Sequence, residues 1–264
     1  MGTVFSKDGT TIAFEKSGGG PPLILVDGAL CHRESGPSRP LAAELAKDFT
    51  VYVYDRRGRG SSGDADLYEV DREIEDIEAL ITEAGGSAHV YGISSGAMLA
   101  LEAVERGLSV TKLALYEPPL VVDHTRPPVP ADFPGQLSKL VLSNRRAQAI
   151  RLFMTKGVRV PSIFVAIMPL MPAWSKLKAV AHTLPYDLSF VGPYQRGEPL
   201  PTDRWGTTTK TLVVDGGKSP AWMRNGVKAL AEVLPNAEHR TLPGQTHIVK
   251  PKALAPMLTA FFKE

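Results

Sequence analysis

The sequence predicts an α/β protein with a mostly parallel central sheet flanked by helices, and two observations carry that expectation. Short β-rich runs alternate with helical segments along most of the chain, the pattern of parallel strands joined by right-handed crossovers. In addition, Gly92-Ile93-Ser94-Ser95-Gly96 falls between one such run and one such helix, where its glycines let the backbone turn sharply. The length of 264 residues, with 43% hydrophobic and 22% charged residues, suits one large α/β domain or two small ones with ample chain for a core.

Each element has its own signal. Residues 3–6 and 11–15 flank Asp8-Gly9, the mark of a hairpin. The apolar run 22–27 reads as a strand buried on both faces. Residues 38–47 place Leu41, Leu45 and Ala46 on one helical face,. A second β-rich run, 49–54, ends in glycine punctuation at Gly58, Gly60 and Gly63. Ile74, Ile77, Leu80 and Ile81 make 70–84 an amphipathic helix,. The remaining strands are expected at 88–93, 112–116, 211–214 and 238–242, and the remaining core helices at 95–106, 222–233 and 253–262. Between 118 and 209 the alternation fails. That stretch is rich in proline, with helical segments at 136–156 and 173–182 and no strand between them. Because unstructured loops of such length are uncommon, it is expected to be a helical lid inserted into a core formed by 1–117 and 210–264.

Composition excludes several classes. Thirty Lys plus Arg against 28 Asp plus Glu leave a net charge of +2, too little for a nucleic-acid-binding surface or a polybasic membrane patch. A single cysteine, Cys31, forbids an intramolecular disulfide, and no His/Cys cluster has metal-ligand spacing. The first twenty residues lack the apolar segment of a secretory signal. Met1-Gly2-Thr3-Val4-Phe5-Ser6 fits the loose myristoylation pattern, but the match is short and leads directly into an extended segment. The most apolar run, 160–174, is too short for a membrane span and holds Pro161, Pro169 and Pro172,. No phosphate loop with a following Lys-Ser/Thr occurs. The expectation is a cytoplasmic protein without cofactor or metal; the residues leave its oligomeric state open.

In its strand–turn–helix setting Ser94 is placed to be a nucleophile. A hydroxyl needs a base at neutral pH, and His247 lies in a turn just past the last expected strand. The other histidines fit worse. His89 lies within a strand and His239 opens one, His124 and His182 belong to the insert, and His32 suits a pocket rim.

These features resemble the α/β-hydrolase fold proteins over nearly the whole chain. Asp55-Arg56-Arg57-Gly58-Arg59-Gly60-Ser61-Ser62 is similar to the family's D-x-R-G-x-G-x-S turn, which implies a structural role for Arg57. Val26-Asp27-Gly28-Ala29 stands at the family's oxyanion loop, so the resemblance implies that the N–H groups of Ala29 and Ser95 hold an oxyanion. Asp27 replaces the usual histidine there and is expected to tie down the loop, with a catalytic role as the alternative. The departure concerns the acid. Val214-Asp215-Gly216-Gly217-Lys218-Ser219-Pro220 puts Ser219 where the family usually carries its aspartate, and a serine cannot stabilise an imidazolium as a carboxylate does. Some members place the acid after the strand that follows the nucleophile helix, where this chain has Glu117. Glu117 is the preferred acid and Asp215 the alternative. The Asp-Gly loop, the Ser-Ser-Gly turn and Glu117 also resemble zearalenone-type lactonases over short stretches.

The insert is expected to supply an apolar substrate wall with Phe153, Met154, Phe164, Met168 and Trp174, and Leu30 and His32 of the core complete the candidate lining. The resulting expectation is a serine hydrolase with Ser94, His247 and Glu117 as catalytic residues, cleaving an apolar ester or lactone. Two rivals stand beside it. One uses the same residues for C–C bond hydrolysis, perhydrolysis or a lyase or cyclase step. The other is a protein that binds an apolar ligand without turnover.

Overall fold

The computed structural model describes residues 1–65 and 67–264. An eight-stranded sheet runs in the order β1-β2-β4-β3-β5-β6-β7-β8. Strands β1 (Gly2–Phe5) and β2 (Thr11–Gly18) form the expected hairpin. They continue antiparallel onto β4 (Thr50–Tyr54). From there every pair is parallel, through β3 (Pro22–Val26), β5 (Ala88–Ile93), β6 (Val110–Tyr116), β7 (Thr211–Gly216) and β8 (Ala237–Leu242).

The two-residue period of a strand sends alternate side chains to opposite faces, and the core divides accordingly. Leu23 and Leu25 join Val51, Val53, Tyr91 and Ile93 against α1 (Ser38–Leu45) and α10 (Pro251–Lys263). Ile24 and Val26 join Val90, Leu113, Leu115 and Val213 on the other face. That face is covered by α2 (Val70–Glu83), α3 (Ser95–Glu105) and α9 (Ala221–Val233). Helix α2 buries the Ile74-Ile77-Leu80-Ile81 stripe. Helix α3 is buried nearly all round, from Ser95 to Val104, because α2 and the insert close over its outer side.

Between β6 and β7 the chain forms α4 (Phe133–Leu142), α5 (Arg146–Leu152), α6 (Ser162–Ile167), α7 (Trp174–Val180) and α8 (Leu184–Val191). The single helix expected over 136–156 is corrected to two. Asn144 takes φ +55° and breaks the chain between α4 and α5, and α5 runs on as a π-helical turn, Phe153–Val158. Helices α6 and α8 have no counterpart among the expected elements. Phe133, Leu137, Ile150, Val180, Leu184 and Leu188 form a third apolar cluster within this segment, and Leu30 from the core fits into it. Among the described residues no single helix is long and apolar enough to cross a membrane.

Candidate active site

Parallel strands direct their C-terminal ends to one edge of the sheet, where loops gather functional groups. The loops after β3, β4, β5, β6 and β8 bring Asp27, Asp55, Ser94, Glu117 and His247 to that edge, and Asp215 stands at the C-terminal end of β7 itself. Ser94 caps α3 with φ +58° and ψ −129°, a conformation L-residues seldom adopt and one that stores strain. Its neighbours permit it. A Cβ on Gly96 would collide with the Val26 carbonyl oxygen, and one on Gly92 would collide with that of Gly96. Glycine at both positions therefore lets α3 start against β3. Gly28 is similarly close, since a Cβ there would meet Ser94 Cβ at 2.9 Å.

Glu117 leaves β6 with φ +44° and is fully buried. Its Oε1 accepts the Gly216 N–H at 2.7 Å, and its Oε2 lies 2.9 Å from His247 Nδ1. The His247 loop is tied down from β6 and β7. Tyr116 Oη donates to the Thr246 carbonyl at 2.8 Å, and the Lys218 N–H donates to that of Gln245 at 2.8 Å. The ring is partly exposed. Asp215, one strand over, is turned away from it. Its Oδ1 lies 2.5 Å from His239 Nε2 and accepts the Thr241 hydroxyl at 2.9 Å, so it fastens β7 to β8. Ser219 Oγ is buried without a partner. Of the two candidate acids, the structure therefore brings Glu117 to His247 and gives Asp215 a different partner.

Behind Ser94 lies a buried ion network. Arg56 donates to both oxygens of Glu73 at 2.6–2.7 Å and to Asp187 at 2.7 Å. Arg59 donates to the other Asp187 oxygen at 2.7 Å and to the Gly28 carbonyl at 2.6 Å. Burial alone would raise the Asp187 carboxyl, but the two guanidiniums hold it below the usual range. Arg57 pairs with Asp76 and Asp8 at 2.7–2.9 Å, in keeping with its expected structural role. Three arginines close together in sequence are thus consumed internally. Asp27 accepts the Ser38 hydroxyl at 2.7 Å, and its second oxygen has no partner. Burial pushes its carboxyl up to about 6, against the opposing pull of Ser38 and Arg59.

A cavity of about 510 Å³ opens over these groups. Ser94, Ser95, Ala29 and His247 line it together, with Phe153, Leu188, Val191, Trp222, Arg126 and Gln195 among its walls. Of the sequence-expected substrate wall only Phe153 faces this space, and the other assignments are corrected. Leu30, Met154, Met168 and Trp174 pack into or against the insert's own apolar cluster, where burial against neighbouring helices draws them. Phe164 points outward and is 58% exposed. His32 is half-buried outside the wall. Trp222 and Met223 were recoverable from sequence, because they open the helix that follows the β7 loop. Arg126, Gln195 and Asp187 carried no such signal, since nothing local tells which side chains of an irregular insert turn inward.

The comparisons with known proteins agree with this architecture. YraK, an uncharacterized hydrolase of Bacillus subtilis (strain 168), is 33% identical over 98 residues, which span 36% of this chain and 35% of that protein. The crystal structure of an alpha/beta hydrolase from Sphaerobacter thermophilus DSM 20745 is 52% identical, with a TM-score of 0.91 over 99% of this chain and 100% of that one. An enol-lactonase from Burkholderia xenovorans LB400, 18% identical with a TM-score of 0.70 over 100% of both chains, shares the fold. The model of the Alpha/beta hydrolase family matches residues 18–257. Because that match runs from β2 through the Ser94 turn and past His247 nearly to the end of α10, this chain belongs to the alpha/beta hydrolase family.

Proposed function

We propose that the protein is a serine hydrolase that cleaves a carboxylic ester or lactone through an acyl-enzyme. The observation that carries this reading is the 2.9 Å contact between Glu117 Oε2 and His247 Nδ1, beside a strained Ser94 in the same cavity. With Nδ1–H held by the carboxylate, Nε2 is free to accept the Ser94 proton as Oγ attacks the carbonyl carbon. The tetrahedral oxyanion then lies between the N–H groups of Ala29 and Ser95. Ser95 opens α3, so its N–H has no partner within the helix. The Ala29 N–H belongs to the same peptide unit as the Gly28 carbonyl, which Arg59 holds. That contact fixes the peptide plane and polarises the N–H toward the site. Collapse of the intermediate returns the proton from His247 to the leaving oxygen. Water activated by the same ring then releases the acyl group and restores Ser94. Apolar walls at Phe153, Leu188, Val191 and Met223 support a largely apolar acyl or alcohol portion.

The test is covalent labelling. A fluorophosphonate should modify Ser94, and Ser94→Ala should lose both the label and ester hydrolysis while keeping its circular dichroism spectrum. A label found on Ser95, or persisting in the variant, refutes the assignment. A residual rate of up to about 10³–10⁴ over water does not, because oxyanion and binding effects survive loss of the nucleophile.

A further inference from the structure

Arg126 is the unusual member of the cavity wall. It is only 5% exposed, yet among the described residues no carboxylate pairs with it. Its Nη2 donates to the Gly157 carbonyl at 2.7 Å, and its Nε has no partner. The guanidinium lies over the Trp222 ring, 4.3 Å from the centroid, which fixes its position. Arg159, also on this wall, adds a second positive charge. Among the described residues the one carboxylate lining the cavity, Asp187, is already claimed by Arg56 and Arg59. Every other deeply buried arginine near the site has an acidic partner, whether Arg33, Arg56, Arg57 or Arg59. Burial, with Arg159 nearby, draws Arg126 down to about 10, which leaves it charged at neutral pH.

A buried, unpaired cation is costly to keep. The cost is recovered when a ligand supplies the missing anion, and a guanidinium matches a planar carboxylate in charge and shape. We propose that Arg126, braced by Trp222, is a carboxylate-binding subsite, so that the substrate is an ester or lactone carrying a free carboxylate away from its scissile carbonyl. Arg159 is exposed, so one buried guanidinium meets the ligand, and a monoanion fits it better than a phosphate dianion. Gln195 extends the subsite. Its side-chain N–H donates to the Pro119 carbonyl at 2.8 Å, which leaves a buried Oε1 without a donor. That oxygen suits a hydroxyl or N–H on the same substrate. The inference adds a charged group to the apolar ester or lactone expected from the sequence, and it rests on the serine-hydrolase reading for the reaction at the other end of the cavity.

Two measurements separate this subsite from that reading. The first compares hydrolysis of mono-4-nitrophenyl glutarate with that of its methyl ester, which differs only in the masked carboxylate. The wild type should favour the acid at least tenfold in kcat/KM, chiefly through KM. Arg126→Met should lower that ratio at least tenfold, and Arg126→Lys should restore part of it. The second measures binding of monobenzyl glutarate and of benzyl methyl glutarate to Ser94→Ala by calorimetry, without turnover. The acid should bind at least tenfold more tightly, and 0.5 M NaCl should weaken only the acid. Equal binding of the two esters overturns the subsite, even if both nitrophenyl esters are hydrolysed. Preferential binding of the acid with no hydrolysis of either nitrophenyl ester upholds the subsite and overturns the hydrolase reading. If Arg126→Met does not fold, the wild-type ratio and the binding comparison decide.

Discussion

Glu117 and Asp215 lie at the ends of neighbouring strands, but their carboxylates face different histidines, His247 for the first and His239 for the second. The two acids should therefore fail differently when neutralised. Glu117→Gln should lower kcat by at least about a hundredfold with little change in KM, the mark of an interaction made mainly in the transition state. Asp215→Asn should keep turnover within tenfold and instead lose about 1–2 kcal/mol of stability, because it breaks the charge-assisted contact to β8. Steady-state kinetics and urea unfolding on both variants check this, and a crippled Asp215→Asn beside a normal Glu117→Gln reverses the roles. Asp27 makes a separate case. Its carboxyl sits at about 6 when folded, against about 4 in an unfolded chain. The folded state binds that proton more tightly, so the contribution of Asp27 improves as pH falls from 7 toward 4 and is lost as pH rises through 6. Asp27→Asn removes the buried charge and should be more stable than wild type at pH 8, by about 1–3 kcal/mol. The gain should vanish near pH 4, and equal pH dependence of unfolding in the two proteins refutes the assignment.

At the scale of elements, α8 lines the Ser94 cavity with Leu188 and Val191 and makes its charged contact there through Asp187. Asp187 joins Arg56 and Arg59, and those arginines donate to the Asp27 and Gly28 carbonyls at 3.3 and 2.6 Å. The insert thus acts on the loop after β3 through a chain of buried, charged hydrogen bonds. Arg59 is a positioning residue in this scheme. Arg59→Met should lower kcat at least tenfold with a smaller change in KM, since the Ala29 N–H is needed most when negative charge develops on the oxygen. Arg59→Lys should recover part of that loss. A rise in KM at constant kcat would mean that Arg59 only shapes the binding space. The signal for this element lay in the Asp55–Ser62 stretch, whose glycines mark a tight turn. A Cβ on Gly60, at φ +55°, would collide with the Asp55 carboxylate. The partner on α8 was not legible, because Asp187 lies 128 residues from Arg59.

Across the whole molecule, the sheet core and the insert's apolar cluster are two cores joined by Leu30 and by α8, which places Phe190 and Val191 in the first and Leu184 and Leu188 in the second. Trp174 belongs to the second of these. Trp174→Ala should therefore cost about 2–4 kcal/mol and increase proteolytic cleavage within 118–209, while the order of preference among acyl sizes stays as in wild type. A changed order with unchanged stability would return Trp174 to the cavity wall. Local periodicity and turn chemistry were enough for much of the architecture. The strand–helix alternation, the Ile74-Ile77-Leu80-Ile81 stripe, the glycines around Ser94 and the position of His247 past the last strand all act over a few residues, so they are legible without knowledge of the fold. The sequence favours Glu117 over Asp215 only by resemblance, and the folded chain gives each carboxylate its own histidine, His247 for the first and His239 for the second. Folding also selects which insert residues turn inward, replacing Met168, Phe164 and Trp174 with Arg126, Leu188 and the core's Trp222. Both cases have one cause: an apolar or acidic side chain takes its partner from chain that lies far away in sequence, and no local spacing records which partner that is.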